Sequence, residues 1–293
     1  MELAWLESFR IFSETLNFTH AAARRHLTQP AVFRHIQNLG EDVGVPLYRK
    51  VGRNLLLTEA GERLAGFAKE MPDRLAVMYS EVRRDGQEPT VALSAGQGAY
   101  LYLLGPAIRK FSSRKTSTLR LSVCDRDTSL AEVRDGTAHL AVTVLTTLPS
   151  DLETHAIYNF APRLVVQKSH PLAGRKSVSL RTLDGLPLVV PSRGRPMRED
   201  LETRFASEEL ELNAALEANG WEIMMNFVAL GLGSAVVNSC CTPPKGVVAI
   251  RIKDLPRTSY YVVRAKDGFR FSSQERLWQA IIEETKQVQL FDK

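Results

Sequence analysis

Residues 16–44, LNFTHAAARRHLTQPAVFRHIQNLGEDVG, hold two helical patterns that meet at a tight Leu27–Thr28 joint, the second running out at Gly44. No other stretch narrows the fold as far. Thr19 is placed to cap the first helix, and Ala21, Ala22 and Ala23 inside it let another helix approach closely. Thr28 is placed to cap the second, whose first turn takes Pro30 at little cost because an N–H is unpaired there anyway. Val32, Ile36, Leu39 and Val43 recur at spacings of four, three and four, which predicts one buried stripe. Gln29, Phe33, Arg34 and Gln37 are left on the opposite face. An earlier helix carrying Leu3, Leu6, Phe9, Ile11 and Phe12 completes a three-helix core. The whole is a helix-turn-helix pattern.

After Gly44, VPLYRKVGRNLLLTEAG predicts a strand around Leu47 to Arg49, a turn at Gly52 and a second strand through Leu55 to Leu57. That is a wing whose tip carries Arg49, Lys50 and Arg53. Residues 24–53 hold six Arg and Lys against Glu41 and Asp42, a local net of +4 where the whole 293-residue chain has +5. Positive charge is therefore concentrated here. A recognition helix needs a thin polar face in the major groove, while a basic wing holds phosphates on its flank. Double-stranded DNA is the expected partner, with Thr28, Gln29, Pro30, Phe33, Arg34, Gln37, Arg49, Lys50 and Arg53 as the candidate contacts. The plainer alternative is a small helical module with solvated arginines.

The run NFTHAAARRHLTQPAVFRHIQNLGEDVGVPLYRKVGRNLLLTEAG resembles the N-terminal winged helix-turn-helix of LysR-type transcriptional regulators. That family reads like SFT-x-AA-x-x-L-x-x-SQPA-x-S-x-x-I-x-x-LE and continues to LT-x-AG. The resemblance implies that Gln29, Pro30, Phe33 and Arg34 reach the DNA, with Arg53 at the wing. Phe33 stands where a small hydroxyl residue is usual and Gly40 where an acid is usual; an aromatic ring there could meet a thymine methyl in place of a hydrogen bond.

From Thr58, a candidate cap, Leu64, Ala68, Met71, Leu75, Met78 and Val82 recur at spacings of 4, 3, 4, 3 and 4, a heptad seam ending in the polar breaker RRDGQEP. The seam predicts pairing with a second copy of the chain; the alternative is a helix lying on its own domain's core. In the resembling family this linker joins protomers into a homodimer or homotetramer and sets the separation of the heads. Pro72 inside it removes a backbone donor and predicts a kink.

From residue 89 the text alternates between strands and helices: TVALSA, YLYLLGPAIRKF, TLRLSVC, a helix around Ser129 to Arg134 stopped by Gly136, and AHLAVTV. RLVVQK, PLVV, a helix from Met197, LNAALEA, a helix from Trp221 to Leu230, GSAVVNS, SYYVVRA and a terminal helix from about Ser272 follow. Such alternation predicts parallel βαβ units in two lobes, crossing near Phe160 and Ala265. The resemblance extends here, to an effector-binding region like a periplasmic binding protein. The expected architecture is α+β and multidomain: a winged helix-turn-helix over 1–58, a linker helix over 59–88 and a two-lobed α/β effector domain over 89–293. Lobe I takes about 89–160 and 266–293, and lobe II about 161–265.

Such clamps bind small molecules at strand C-termini and helix N-termini. The positions that fall there are Gly96, Gln97 and Gly98, then Asp125 and Thr128, then Ser192, Arg193 and Arg195, then Trp221 and Glu222. Gly96-x-Gly98 is no dinucleotide fingerprint, since Leu101 replaces the third glycine. Arg193, Arg195 and Arg198 point either to an organic anion or to a solvated surface.

No window reaches the roughly 18 unbroken apolar residues of a membrane span. Glu2 and Glu7 stand where a secretory signal would carry lysines, so the cytoplasm is expected. Cys124, Cys240 and Cys241 lack zinc-site spacing; the vicinal pair admits a redox reading, although adjacent cysteines are geometrically poor disulfide partners. No G-x-S-x-G or H-E-x-x-H occurs, and His20, His26 and His35 read as helix-surface or phosphate-proximal groups. The reading is a non-enzymatic DNA-binding regulator without metal or cofactor, controlled by a small-molecule effector, with RNA polymerase as a further partner that the resemblance implies. A ligand-binding clamp alone and a DNA binder without an effector are the alternatives.

Overall fold

The computed structural model describes residues 2–83 and 87–290, with side chains as far as 286. Arg84, Asp85 and Gly86 of the RRDGQEP breaker lie outside the described residues. The head packs α1 (Leu3–Thr15), α2 (Phe18–Arg25) and α3 (Gln29–Val43) ahead of an antiparallel wing, β1 (Tyr48–Val51) and β2 (Asn54–Leu57). Leu6, Phe9, Ile11 and Phe12 of α1 meet Ala21 and Ala22 of α2 and Val32, Ile36 and Leu39 of α3 in one buried core. Two residues of the expected stripes fall outside it. Leu3 is exposed, and Val43 is 43% exposed because Gly44 turns the chain and Leu47 folds back, fully buried, toward Gly40.

Capping also differs. Asn17, not Thr19, caps α2: its Oδ1 accepts the Thr19 and His20 amides at 2.9 and 3.1 Å. Thr28 occupies the N-cap position of α3, yet its hydroxyl makes no capping bond. His26 takes a left-handed conformation, φ 55°, and its amide reaches Ala22 and Ala23 carbonyls, which makes the joint tight.

The linker helix α4 (Glu59–Arg83) starts where Thr58 Oγ1 accepts the Gly61 amide at 3.0 Å and donates to the Pro46 carbonyl at 2.7 Å. It runs on through Pro72, so the missing donor does not end the helix. Its N-terminal half lies on the head: Ala65 and Ala68 are buried in the head core, with Leu64 and Met71 packed against it. That overturns half of the expected free seam. Further along, Val77 packs on the core of the next domain.

Lobe I is a five-stranded sheet in the order β4-β3-β5-β13-β6, formed by β3 (Glu88–Ala95), β4 (Ser117–Val123), β5 (Leu140–Val144), β6 (Leu152–Phe160) and β13 (Thr258–Ala265). Helices α5 (Gln97–Tyr102), α6 (Gly105–Ser112), α7 (Arg126–Asp135) and α10 (Ser272–Leu290) accompany it. YLYLLGPAIRKF is two short helices rather than one, because Pro106 starts the second. Lobe II is a six-stranded sheet, β10-β9-β11-β7-β12-β8. Its strands are β7 (Pro162–Gln167), β8 (Ser177–Val178), β9 (Leu188–Val190), β10 (Ala214–Glu217), β11 (Ser234–Asn238) and β12 (Val247–Ile252). Helices α8 (Pro196–Ser207) and α9 (Trp221–Ala229) belong with these strands.

Both sheets are mixed, not purely parallel: β13 runs antiparallel to β5 and β6, and β7 antiparallel to β11 and β12. The pairing Tyr260↔Val144 and Ala265↔Leu152 puts Thr258–Ala265 in lobe I, so the return crossing lies in residues 253–257, ahead of the expected Ala265. The outward crossing passes Ala161, and Arg257 on the return segment donates to the Asn159 carbonyl at 2.7 Å. The two crossings are thereby tied side by side. Among the described residues no helix is long and apolar enough to cross a membrane.

Head and linker meet at Gly61, where an added Cβ would stand 1.9 Å from the Leu47 carbonyl oxygen. Gly61→Ala must push the wing base from the helix, and is expected to destabilise the head by about 1–3 kcal/mol in a denaturant titration, as overpacking does.

Candidate nucleic-acid interface and interlobe cleft

The head sorts its cations. Glu14 takes Arg10 at 2.9 Å and Arg24 at 2.6 Å, and Glu7 takes Arg25 at 2.6 Å. Arg34 on α3 and Arg49, Lys50 and Arg53 on the wing are exposed and have no ion-pair partner among the described residues. The exposed Gln29, Pro30 and Gln37 share the α3 face with Arg34. Phe33 is 39% exposed and stands edge-on to Phe18 at 5.4 Å, while Phe18 stacks on Phe12 at 4.5 Å. Its ring therefore has one edge in the core and one outside. His35, expected on the helix surface, is half-buried: its Nδ1 lies 2.8 Å from Ser8 Oγ and ties α3 to α1. Periodicity alone carries no signal for that bond.

On α4, Leu64, Ala68 and Met71 are spent on the head, whereas Phe67, Met78 and Val82 are exposed, Val82 at 73%, and Leu75 is half-buried. With a turn every 3.6 residues, Phe67, Leu75, Met78 and Val82 share one face.

Between the lobes, the candidate ligand positions touch one another. Trp221 at the start of α9 lies so close to Gly98 of α5 that an added Cβ would stand 2.7 Å from its Cδ1 and 2.8 Å from its Nε1. Gln97 Oε1 faces Gly220. Burial pushes up the pKa of the Tyr260 hydroxyl, and the neighbouring Trp221 side chain works against that rise. Asp125 caps α7, accepting the Thr128 amide at 3.0 Å; the backbone and side chain of Thr128 hold its carboxyl below the usual carboxylate range. Across the cleft Arg195 approaches Asp125 at 3.7 Å.

The arginines of the Ser192–Arg198 stretch do not converge on one point. Arg193 faces Glu202 at 3.7 Å, and Arg198 is buried between Glu202 at 2.7 Å and Glu217 at 3.5 Å. Ser192 instead pairs with Asn219, its amide donating to Oδ1 at 3.2 Å. Sequence reasoning placed Glu222 here beside Trp221 but missed Tyr102 and Tyr260, which reach this seam through folding alone. Burial, then the neighbouring Glu222, raises the Tyr102 pKa. Cys240 and Cys241 are free thiols; the hydrogen bond between them and burial raise the Cys241 pKa, which disfavours the reactive thiolate.

A head that presents a helix and wing with unmatched cations, joined by a long helix to a two-lobed domain, defines a DNA-binding regulator with a sensing domain. Residues 3–62 match the family described as bacterial regulatory helix-turn-helix protein, lysR family, and residues 84–286 match the LysR substrate binding domain. The chain belongs to the LysR family of transcriptional regulators. It is 30% identical over 253 residues to the HTH-type transcriptional regulator IlvY of Escherichia coli, covering 81% of this chain and 82% of that one. It is 28% identical over 248 residues to the HTH-type transcriptional activator CmpR of a Synechocystis species, covering 81% and 80%.

Its fold is similar to that of HinK, a LysR family regulator from Pseudomonas aeruginosa, with a TM-score of 0.61, 20% identity and coverage of 98% of this chain and 99% of that one. It is similar also to full-length CbnR in complex with target DNA, with a TM-score of 0.58, 20% identity and coverage of 97% and 100%. Likenesses at that identity speak to fold alone.

The contact between Gly98 and Trp221 can be read optically. Gly98→Ala is expected to unseat the indole and red-shift the tryptophan emission; in a Trp221→Phe background the same substitution should leave the spectrum unchanged.

Proposed function

We propose that the protein is a sequence-specific regulator whose α3 enters the major groove while the β1–β2 wing lies on the flanking phosphates. The observation that carries this is the allocation of charge: three head arginines are matched by carboxylates, and Arg34, Arg49, Lys50 and Arg53 are not. Cations left unmatched on one surface supply the counterion-release term that drives DNA binding. Arg34, beside Gln29 and Gln37, is assigned to a base edge, and Arg49, Lys50 and Arg53 to phosphates. A regulator that reads chromosomal DNA works in the cytoplasm.

Pairing of two heads is assigned to the exposed face of α4 formed by Phe67, Leu75, Met78 and Val82, with the dimer as the smallest assembly that reads two half-sites. The effector is assigned to the interlobe seam, among Gly96, Gln97 and Gly98, Asp125 and Thr128, Ser192, Arg193 and Arg195, and Trp221. An anionic effector would compete with Asp125 for Arg195 across the cleft, exchanging an internal latch for a ligand. Control requires only that it bind the open and closed lobes unequally.

Binding of the full chain to a randomised duplex pool at several salt concentrations tests the head. A two-fold-symmetric motif should be enriched, and Arg34→Ala should lose about 1–3 kcal/mol of discrimination at one position of each half-site. An equal loss on all sequences would reassign Arg34 to phosphate, and salt-sensitive binding without enrichment would favour a DNA binder without sequence preference. Met78→Asp places a charge on an already exposed position, so folding should persist while light scattering reports a smaller particle; unchanged mass would remove this face from the assembly.

A further inference from the structure

The head is not the only place where positive charge collects. Residues 162–181 and 245–257, which form β7, β8 and β12 with their flanks, hold nine Arg and Lys against one carboxylate, Asp254, a net of +8. The stretch between them, 182–244, holds nine Asp and Glu against four arginines, a net of −5. The three strands are neighbours and end the lobe II sheet at β8, the margin farthest from β10. Lys168 stands beside Lys245, because its amide donates to the Gly246 carbonyl at 2.8 Å. Further along, the Lys253 amide donates to the Val178 carbonyl at 2.9 Å, and Arg251 is in register with Ser177, next to Lys176. Asp254 is itself taken up by the Leu180 amide at 2.8 Å, and Arg181 pairs with Glu208 at 3.3 Å.

Six of these cations, Lys168, Arg175, Lys176, Lys245, Arg251 and Lys253, are exposed and have no ion-pair partner among the described residues. Two ordinary reasons for such a margin fall short. Lysine on a sheet edge discourages strand-to-strand aggregation. Yet β8 is only two residues long, and the opposite edge strand β10, AALE, is exposed without any cation. A protein partner would ask for apolar anchors at the centre of its interface. No large hydrophobic residue of 162–181 or 245–257 is exposed, whereas α4, β4 and α9 each expose at least one. Charge without apolar surface is the composition of a face that meets a polyanion. β12 alone, six residues long, spans roughly 20 Å, the rise of about six base pairs.

We propose that the β7–β12–β8 margin of lobe II is a second DNA-binding surface, one that takes the phosphates of duplex lying outside the sites read by the heads. The inference rests on the reading of the head as the part that finds the operator. A chain already held on DNA meets the flanking duplex at high effective concentration, so contacts too weak to bind alone add to affinity. They carry no sequence information and act through counterion release. Because these cations stand on the sensing domain, a change in the angle of lobe II alters how the flanking duplex is held.

Fluorescence anisotropy of the full chain tests this between about 50 and 200 mM salt, with two duplexes. One is the enriched operator trimmed to its two half-sites, and the other carries about 20 further base pairs, two helical turns, on each side. Lys176→Gln, Arg251→Gln and Lys253→Gln together should weaken binding to the extended duplex tenfold or more at the low-salt end. They should also lower the slope of log K against log salt by about 2 to 3, at nearly one per phosphate contact. Binding to the trimmed duplex and the enriched motif should not change. Lys176→Arg with Lys253→Arg should keep the wild-type slope. Removing as much charge from lobe I, by Arg109→Gln, Arg114→Gln and Lys115→Gln, should leave the slope intact. An unchanged slope on the extended duplex, an equal loss on the trimmed one, or an equal loss in the lobe I control would each overturn the assignment, the first leaving an acidic protein as the partner of this margin. If the wild type showed no preference for any operator, the reading of the head would fall. The margin would then stand or fall separately, on the same slopes measured with extended duplex of random sequence.

Discussion

One helix belongs to two hydrophobic cores. The N-terminal half of α4 places Ala65 and Ala68 in the head, and its later residue Val77 packs on the core of lobe I. Everything between sensing and reading depends on that sharing, because close-packed cores tolerate few alternative arrangements and resist gradual deformation. Polar contacts between Asp73 and His139, and between Glu70 and the Phe269 amide, hold the same helix to the lobe. A shift of the lobe is therefore passed to the head as a change in the direction of a rod, not absorbed in a flexible linker.

The electrostatics of the head follow one rule. Arginines that stabilise the three-helix core are matched within it, and the cations of α3 and the wing are left to solvent. Surface ion pairs of the first kind are worth little in stability, typically below about 1 kcal/mol each. Their larger effect is spatial, since cancelling charge on the α1–α2 side leaves the positive potential on the face that carries Gln29, Arg34 and Gln37.

Much of this was legible in the sequence where the information is local. The spacing of Val32, Ile36 and Leu39, Pro30 in a first turn and Gly52 between basic strands each report on neighbours a few residues away. What escaped is set by distant partners. SYYVVRA reads as a strand, but only its pairing with Val144 and Leu152 decides which lobe owns it. The alternation in LETHAIYNF is interrupted by polar residues, so β6 left no clear apolar run. A heptad on α4 fits a partner helix and the head's own core equally well, and the fold divides the seam between the two uses. The arginines of the 193–198 stretch look convergent in one dimension, and separate carboxylates draw them apart in three.

The seat of Trp221 against Gly98 bears on sensitivity rather than on recognition. On the proposed assignment of the effector to this seam, the lobes already hold a large aromatic group where the ligand would enter, and only the fraction of molecules with the indole displaced would be ready to bind. The apparent Kd of any effector at that seam is its intrinsic Kd divided by that fraction. On that assignment, the stability of one internal contact sets the concentration at which the regulator begins to respond.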